Sequence, residues 1–482
     1  MKQVFNPYLP SYEYIPDGEP HIFNDRLYIY GSHDRFGSRF FCDNDYVLWS
    51  APLDDLSDWT CHGVIYRKDQ DPLNKEELNP LFAPDVAQGK DGRYYLYYAP
   101  CNTRSIGVAV SATPEGPFEF LGHVRYKDGT ILGQQENDPY PFDPAILCEE
   151  DHNYLYLGFS PDPGWDFMER EFGTTPLSSG AFAVELEDDM CTVRSHCIKI
   201  EILDCIDPNH GFFEASSIRK VDDRYCFIYS SFYSHELCHA MGDSPSGPFH
   251  YKGILHDNGD IGLNGRKEKD RVSYTGNNHG SLVNINGKWY IFGHHQTNYS
   301  VYARQAVAQE IQRRPDGSFL QAEMTSCGLN GKPLKAQGRY SAYIACHLTA
   351  KDGALHYLDN CEGEGFEHIR INHPAFSQDG EDREKDPDQF IRNMNDSSTA
   401  GFKYFEPVKA VSLSVFTRGD EGLFEIRESF DGPVLNVIRL KRNDTFTQSE
   451  TVRISFSEKE KLSLYFTYRG QGHVDFDSFI IN

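Results

Sequence analysis

The chain has no long apolar segment. Its N-terminus, MKQVFNPYLPSYEYIPDGEP, includes no apolar run that could act as a signal peptide. No later stretch is long enough to cross a membrane as a helix. Both absences argue against export and membrane insertion, so we expect a cytoplasmic protein without a membrane partner.

Positive charge is scarce as well. The 482 residues include 46 Lys and Arg against 72 Asp and Glu, which gives a formal charge of −26. Nucleic acids and anionic membranes would repel such a chain, so neither is expected as a partner. A neutral sugar would be indifferent to this charge.

The sequence also lacks cysteine pairs with the spacing of a metal site, and it lacks the periodicity of long helices. The 12 cysteines include no CxxC pair, and we expect buried free thiols rather than disulfides or a zinc site. Helical candidates are short polar pieces such as 386–396 (DPDQFIRNMND), which excludes an α/β barrel. Tyr and Phe dominate instead, with 29 and 33 residues against 4 Trp and 6 Met. Because these rings favour half-buried strands, the composition predicts an all-β protein.

One short signature occurs five times in the first two thirds of the chain. It is a polar turn that begins with Asn or Asp, followed by an alternating aromatic strand. The copies are NDRLYIYGSH (24–33), DGRYYLYYAP (91–100), DHNYLYLGFS (151–160), DDRYCFIYSS (222–231) and NGKWYIFGHH (286–295). Their starts lie 67, 60, 71 and 64 residues apart, which is typical of a radial array of small sheets.

A second element follows two of these copies closely. Residues 105–120 and 236–251 both run from a small-residue strand into a Pro-x-Gly-Pro-Phe turn, as the third strand of a four-stranded blade would. We therefore predict a five-bladed β-propeller over residues 1–320. The alternative is a β-sandwich with coincidental hairpins.

The repeat fades after about residue 320, although strand patterns continue. Segments such as AVSLSVFTR, LFEIRES and KLSLYFTYRG alternate without the aromatic signature. We predict a separate C-terminal β-sandwich over residues 338–482, packed behind the propeller or beside its mouth.

Three carboxylates precede the repeats in a similar way. Asp17 leads into the first copy, Asp143 lies eight residues before the third, and Glu214 lies eight residues before the fourth. In a propeller such positions open onto one face of the central channel, so the three acids are expected to converge. Each has apolar neighbours, and a carboxylate in that setting is solvated, hydrogen-bonded or functional.

Such a set suits the hydrolysis of a glycosidic bond. That reaction needs one acid to protonate the leaving oxygen and a second carboxylate to activate water or attack carbon. A third acid beside the proton donor would raise its pKa, since two like charges resist ionising together. His279, seven residues before the fifth copy, is either a satisfied core residue or part of a site for a hydrated calcium ion on the propeller axis.

With these residues the chain resembles glycoside hydrolase family 43, whose propellers include β-xylosidases and α-L-arabinofuranosidases. The resemblance covers roughly residues 5–312 and rests on the motifs around Asp17, FAPDV (82–86), FDPAI (142–146), FFEASSIRK (212–220) and NNHGSLV (277–283). It implies an inverting, exo-acting hydrolase that releases a terminal pentose from oligosaccharides of plant hemicellulose.

The resemblance also assigns roles to individual residues. Asp17 would be the general base and Glu214 the general acid, while Asp143 would orient Glu214 and raise its pKa. His279 would match the family's metal-associated histidine, and no organic cofactor is implied. Arg304 would reach the sugar in the innermost subsite, and Phe82 would form its aromatic wall.

The first acid motif departs from the family pattern. The family reads Asp-Pro, whereas this chain reads Asp-Gly-Glu-Pro at 17–20. Glu19 is therefore a second candidate for the base, because side chains two residues apart on a strand share a face. We favour Asp17, which keeps the family's distance to the aromatic strand.

Other functions remain open at this stage. The C-terminal part resembles a carbohydrate-binding module through its closing GQGHVDFDSFII (470–481), and would either bind sugar or complete the rim of the active site. The departure at 17–20 would also suit a sugar-binding propeller without catalysis. Galactose-directed or phosphorolytic relatives are further alternatives, and the oligomeric state is not encoded in any pattern that we recognise.

Overall fold

The computed structural model describes residues 3–76, 78–161, 179–232, 234–298, 300–356, 361–362, 368–369, 373–380 and 388–482. Throughout these residues the regular structure consists of strands and short 3-10 helices. The helices are Lys68–Gln70, Pro208–His210, Leu263–Gly265, Glu268–Asp270, Gly328–Asn330 and Ala342–Ile344. None of the described helices combines the length and the apolar character needed to cross a membrane.

The first blade is an antiparallel sheet, and the second repeats its order. The first contains β1 (Glu19–Phe23), β2 (Arg26–Tyr30), β3 (Tyr46–Pro52) and β4 (Thr60–Tyr66). The second contains β5 (Leu81–Gln88), β6 (Tyr94–Pro100), β7 (Gly107–Ser111) and β8 (Glu119–His123). The aromatic repeat forms the second strand of each, and the small-residue strand β7 forms the third, as predicted.

The remaining three blades vary this plan. The third contains β9 (Ala145–Cys148), β10 (Asn153–Phe159), β11 (Gly180–Leu186) and β12 (Ile198–Lys199). The fourth contains β13 (Ile202–Leu203), β14 (Phe212–Val221), β15 (Arg224–Ser231), β16 (Leu237–Gly242) and β17 (Phe249–His256), with β13 parallel to β17 at the outer edge. The fifth contains β18 (Leu282–Ile285), β19 (Lys288–Gln296) and β20 (Arg304–Ile311). The protein is thus a five-bladed β-propeller followed by a β-sandwich, and the single-sandwich alternative is excluded.

The aromatic strands are buried because each blade packs against a neighbour on both faces. All seven residues of β6 are buried, for example, and its rings enter the cores on either side of the second blade. The Asn and Asp turns that precede the strands adopt left-handed geometry, as at Asn24, Asp25, Asp222 and Asn286. The repeat therefore encodes both the tight turn and the packing between blades.

The ring is closed at two levels. On the inside, the first strands of neighbouring blades contact one another, and Ser217 Oγ on β14 donates to Ser281 Oγ before β18 (2.7 Å). On the outside, the N-terminal segment runs beside β20, where the Asn6 side chain bonds both backbone groups of Ala308 (2.8 and 2.9 Å). This closure holds the inner strands around one axis.

The C-terminal strands form two facing sheets and a small hairpin. The larger sheet contains β21 (Gly338–Ser341), β25 (Ala375–Asp379), β26 (Asp388–Met394), β28 (Ala410–Gly419), β31 (Asn443–Gln448), β32 (Val452–Ser455) and β34 (Val474–Ile481). The smaller contains β22 (His347–Thr349), β27 (Thr399–Phe405), β29 (Gly422–Arg427), β30 (Asn436–Leu440) and β33 (Leu462–Arg469). The hairpin consists of β23 (Cys361–Glu362) and β24 (His368–Ile369).

The predicted helix at 386–396 is wrong, because its described part forms the strand β26 between β25 and β34. The eleven cysteines whose side chains are described are free thiols, and the side chain of the twelfth, Cys361, lies outside that description. The boundaries of the two domains, 1–320 and 338–482, stay a prediction.

Candidate active site

Asp17 lies in the turn that leads into β1 and is 5% exposed. Its backbone is left-handed (φ 58°), and its Oδ1 accepts a hydrogen bond from Nη1 of Arg304 (3.0 Å). Burial alone would raise the pKa of Asp17, but the charge of Arg304 together with His294 and His279 outweighs it and holds the pKa far below the usual range. Asp17 is therefore an ionised carboxylate at neutral pH.

His294, at the end of the fifth aromatic strand, supports Asp17 from the other side. The ring donates from Nε2 to the carbonyl oxygen of Asn277 (2.7 Å), which fixes the proton on Nε2. Its Nδ1 can then accept the backbone N–H of Asp17 (3.2 Å). Burial lowers the pKa of His294, in agreement with a neutral ring.

Asp143 lies just before β9 and is also 5% exposed, with a left-handed backbone (φ 45°). Its Oδ2 accepts the backbone N–H of Ala215, the residue that follows Glu214 (2.9 Å). Burial raises the pKa of Asp143 to about 6, the charge of His279 opposes that rise, and the charge of Asp17 adds to it. Asp143 is thus held beside Glu214 by a main-chain hydrogen bond.

Glu214 lies on β14 at a β-bulge. The pairing of β14 with β15 shifts on both sides of Glu214, and Ala215 has a left-handed backbone (φ 63°). Such bulges re-aim side chains, and here Glu214 stays partly exposed between buried neighbours. Its carboxyl group has no hydrogen-bond partner among the described residues. Burial and then the charge of Asp143 raise the pKa of Glu214 well above its ordinary value, which favours the protonated form of the group.

The structure therefore brings the three predicted acids together. Asp17 contributes to the pKa values of both Asp143 and Glu214, and Asp143 contacts the backbone next to Glu214. The pKa of Asp17 is lowered, whereas that of Glu214 is raised. Two carboxyl groups whose pKa values are pushed apart can act as a base and an acid in one reaction.

His279 lies between two carboxylates on the axis. Its Nε2 is 3.7 Å from Glu19 Oε1, and its Nδ1 is 3.7 Å from Asp143 Oδ2. Burial would lower the pKa of His279, but these carboxylates raise it to about 9. Neither His279 Nε2 nor Glu19 Oε1 has a hydrogen-bond partner among the described residues. These two buried atoms without a partner, 3.7 Å apart, could both bind a cation or an ordered water molecule between them.

Glu19 has different partners from Asp17. Its Oε2 accepts a hydrogen bond from Arg219, and it is 1% exposed. The premise that residues 17 and 19 share one face of a strand is wrong, because Asp17 precedes β1 and has positive φ. Asp17 is among the largest contributors to the raised pKa of Glu214, and Glu19 is not among them. This geometry favours Asp17 as the base.

A second group on the axis could hold a metal ion. Glu19, His21 and Asp85 each offer a ligand atom within 4.8 Å of the others. However, His21 Nε2 already contacts Asp85 Oδ1 (2.6 Å), and the other oxygen of Asp85 accepts the Ile146 N–H (2.8 Å). Within this group, Glu19 Oε1 is the buried oxygen without a partner among the described residues.

The two predicted sugar contacts have different surroundings. Phe82 lies at a bulge of β5, is half-buried and packs on Phe142 (ring centroids 5.5 Å apart). Arg304 is 2% exposed and is bound mainly to Asp17 and Asp34. Phe82 thus has a surface to offer a sugar, whereas Arg304 is chiefly committed to neighbouring carboxylates.

Sequence reasoning missed three residues that hold this site. Asp34 pairs with Arg304, His294 supports Asp17, and Arg219 pairs with Glu19. Two of them lie inside segments already singled out, since His294 ends the fifth repeat and Arg219 lies in FFEASSIRK. Asp34 follows the first repeat directly, but nothing in its neighbours points to a partner 270 residues away.

Comparisons with known proteins show which chains this one resembles. The model of Glycosyl hydrolases family 43 matches residues 16–319. A "Xylosidase/arabinosidase" of Thermoclostridium stercorarium is 45% identical, over 100% of this chain and 99% of that protein. "Xylosidase/arabinosidase 43A" of Humicola insolens is 32% identical, over 64% of this chain and 96% of that protein.

A solved structure extends the likeness to both parts of the chain. It is a glycoside hydrolase family 43 arabinoxylan arabinofuranohydrolase from Bacillus subtilis in complex with cellotetraose. The superposition has a TM-score of 0.50 at 19% identity and covers 98% of this chain and 96% of that one. At this identity the likeness shows a shared fold.

Proposed function

Because the chain belongs to glycosyl hydrolase family 43, we propose that it releases a terminal pentose, β-D-xylose or α-L-arabinofuranose, from hemicellulose-derived oligosaccharides by inversion. The observation that carries the proposal is the close grouping of Asp17, Asp143 and Glu214, with the pKa of Asp17 lowered and that of Glu214 raised. The names of the two relatives, each a xylosidase/arabinosidase, support a pentose as the released sugar.

The reaction is a single displacement. Asp17 takes a proton from water as its oxygen attacks the anomeric carbon, and Glu214 donates its proton to the departing glycosidic oxygen as that C–O bond breaks. The charge of Arg304 favours the ionised form of Asp17, while burial and the charge of Asp143 favour the protonated form of Glu214. The sugar leaves with inverted configuration, and both carboxyl groups return to their starting state through solvent.

The acid assignment is tested with Glu214→Gln on two substrates of different leaving groups. Turnover of xylobiose should fall far more than turnover of an aryl β-xyloside, because a nitrophenolate leaves without a proton donor whereas a sugar alkoxide does not. An aryl α-arabinofuranoside and an arabino-disaccharide form the parallel pair. Glu149→Gln is the matched control, because Glu149 is partly buried in the third blade and bonds Lys220 and Tyr225 away from the site. Undiminished turnover of both substrate types by Glu214→Gln would remove the assignment.

The stereochemistry is tested by proton NMR during the first minutes of hydrolysis. Inversion of an aryl β-xyloside releases α-xylose first, and the β-anomer appears later by mutarotation. A first product of β configuration would show retention and a covalent intermediate.

We also propose that His279 holds a calcium or similar divalent ion on the axis. Its support is the pair of unpartnered buried atoms, His279 Nε2 and Glu19 Oε1, among carboxylates that favour positive charge. Such an ion would supply positive charge to the site and would displace a proton from His279, whose neutral ring would then be its protein ligand. A chelator should lower the melting temperature of the wild type and leave that of His279→Ala unchanged. Equal responses of both proteins would return His279 to a satisfied core residue.

The C-terminal sandwich is proposed to complete the rim of the active site. Leu355 joins an apolar cluster with Tyr302 and Phe41, next to Arg304. Nearby, Phe376 packs against His295 (5.6 Å between ring centroids). The C-terminal part therefore supports the loops at the catalytic end of the fifth blade.

This role is tested with Leu355→Ala. We expect a higher KM for oligosaccharides than in the wild type, since the supported loops flank the site. The control is Val411→Ala, which removes a buried side chain from the sandwich core away from the propeller. An unchanged KM for Leu355→Ala, together with binding of an oligosaccharide to the sandwich away from the active site, would instead make the C-terminal domain a separate binding module.

A further inference from the structure

Asp34 is a fully buried carboxylate directly after the first copy of the aromatic repeat (24–33). Its Oδ1 accepts hydrogen bonds from the Cys42 backbone N–H (2.9 Å) and from Arg304 Nη2 (2.9 Å). Its Oδ2 accepts hydrogen bonds from Arg304 Nε (2.8 Å) and from the Arg304 backbone N–H (3.1 Å). Both oxygens are thus occupied, and Asp34 has no free atom with which to touch a substrate.

The hydrogen-bond inventory of Arg304 explains what this carboxylate does. A guanidinium has five N–H donors in a rigid plane. Two go to Asp34, one goes from Nη1 to Asp17 (3.0 Å), and a second Nη2 hydrogen reaches Cys42 Sγ (3.4 Å). One Nη1 hydrogen is left, on the side of the group that faces Asp17.

We propose that Asp34 is a positioning residue for the hydrolytic reaction. Its two hydrogen bonds with Nε and Nη2 fix the orientation of the Arg304 guanidinium, so that Nη1 donates to the base Asp17. The second Nη1 hydrogen then stays available for a hydroxyl of the sugar. Bidentate pairing of this kind adds geometric precision as well as energy. The ring of Phe41 covers the guanidinium (4.8 Å to the centroid), so the segment from Asp34 to Cys42 fixes Arg304 from two directions. The inference rests on the proposed function, since it takes Asp17 as the base.

A double-mutant cycle tests whether Asp34 acts through Arg304. We expect Asp34→Asn to lower kcat about 10- to 100-fold, because an amide presents a donor to the guanidinium and breaks the two-point grip. Arg304→Met should lower kcat at least as much. The double variant should be no worse than Arg304→Met alone, since Asp34 then has nothing left to aim.

The matched control is Asp71→Asn. Asp71 is equally buried and accepts hydrogen bonds from Tyr98 OH (2.8 Å) and the Leu73 N–H (2.8 Å), but it lies away from the site. It should cost thermal stability without changing kcat. If Asp34→Asn does not fold, Arg304→Lys takes its place, because lysine keeps the charge and loses the fork. It should still lose about 10-fold or more in kcat.

Two results would overturn the inference: kcat of Asp34→Asn or Arg304→Lys at the wild-type level, or losses that multiply in the double variant. Asp17→Asn separates this failure from failure of the proposed function. Wild-type turnover by Asp17→Asn would reject Asp17 as the base, and with it both proposals. An inactive Asp17→Asn beside a fully active Asp34→Asn would reject the positioning role alone.

Discussion

Lys403 is a buried cation at the junction of the sandwich and the propeller, and its removal is expected to destabilise the whole protein. Its side chain on β27 is 4% exposed. Nζ lies 3.2 Å from Asp260 Oδ2, 2.9 Å from Glu323 Oε1 and 2.8 Å from His347 Nε2. Asp260 belongs to the propeller and Glu323 to the segment between the two predicted domains, so the network joins the two parts.

The size of the effect follows from burial rather than from distance. Lys403→Met keeps the aliphatic stem but leaves Asp260 as a buried anion without its lysine. Removing one partner of a buried ion pair costs about 3–5 kcal/mol. Lys288 is the matched control, because its Nζ lies 2.9 Å from Glu310 while both side chains are nearly half exposed. Lys288→Met should cost only about 0–1 kcal/mol.

Urea unfolding followed by tryptophan fluorescence measures both variants against the wild type. We expect Lys403→Met to shift the midpoint strongly and Lys288→Met to leave it almost unchanged. Adding Asp260→Asn to Lys403→Met should recover part of the loss, since the uncompensated anion is gone. Equal midpoints for the two lysine variants would refute the view that burial sets the value of these contacts.

Three further predictions concern pH and substrate binding. Burial lowers the pKa of five histidines from 6.5 to about 3 or 4, so the folded state keeps them neutral while the unfolded state binds protons below pH 6.5. The free energy of unfolding should therefore fall steeply as the pH drops from 6.5 towards 4, which circular dichroism would detect. A fold that stays stable in acid would contradict this. The five histidines are His235, His239, His256, His295 and His347. Asp143→Asn removes a charge that raises the pKa of Glu214, so the basic limb of the kcat/KM profile should move to lower pH, and an unchanged limb would separate the two residues. Phe82→Ala should raise KM for aryl pentosides about tenfold by removing one to two kcal/mol of apolar contact, whereas Phe120→Ala, on the outer strand β8, should not.

The sequence predicted the candidate acids because the repeat gives a fixed reference point from which the position of a residue in each blade can be counted. Each aromatic copy is the second strand of its blade, so a residue shortly before it lies at the start of the inner strand. Asp143 and Glu214 share the same offset from their copies, and the ring brings equal offsets to the same end of the channel. Counting from the repeat does not identify Asp34, because its proposed role depends on Arg304, a partner on another blade.

The wrong helix at 386–396 has a specific physical cause. Phe390, Ile391 and Met394 are all fully buried, and this i, i+1, i+4 spacing is typical of one face of a helix. In the structure β26 pairs with β34 through a register shift between Ile391 and Met394, and Asn393 is left-handed (φ 59°). A β-bulge therefore produces the spacing that alternation alone would not, and a bulge of this kind leaves no periodic signal in the sequence.

Backbone conformation also favours Asp17 over Glu19 as the proposed base. Both lie before or within β1, and the departure from Asp-Pro left either one able to align with the family motif. The left-handed turn at Asp17 places its carboxylate beside Arg304, which donates a hydrogen bond to it. Glu19 already lies in the strand β1, and its carboxylate accepts a hydrogen bond from Arg219 instead. A base must stay ionised and must lie near the acid whose pKa it helps to raise, and Asp17 meets both conditions. Side-chain identity and spacing allowed two candidates for the base, and the positive φ of Asp17 is what favours it in our proposal.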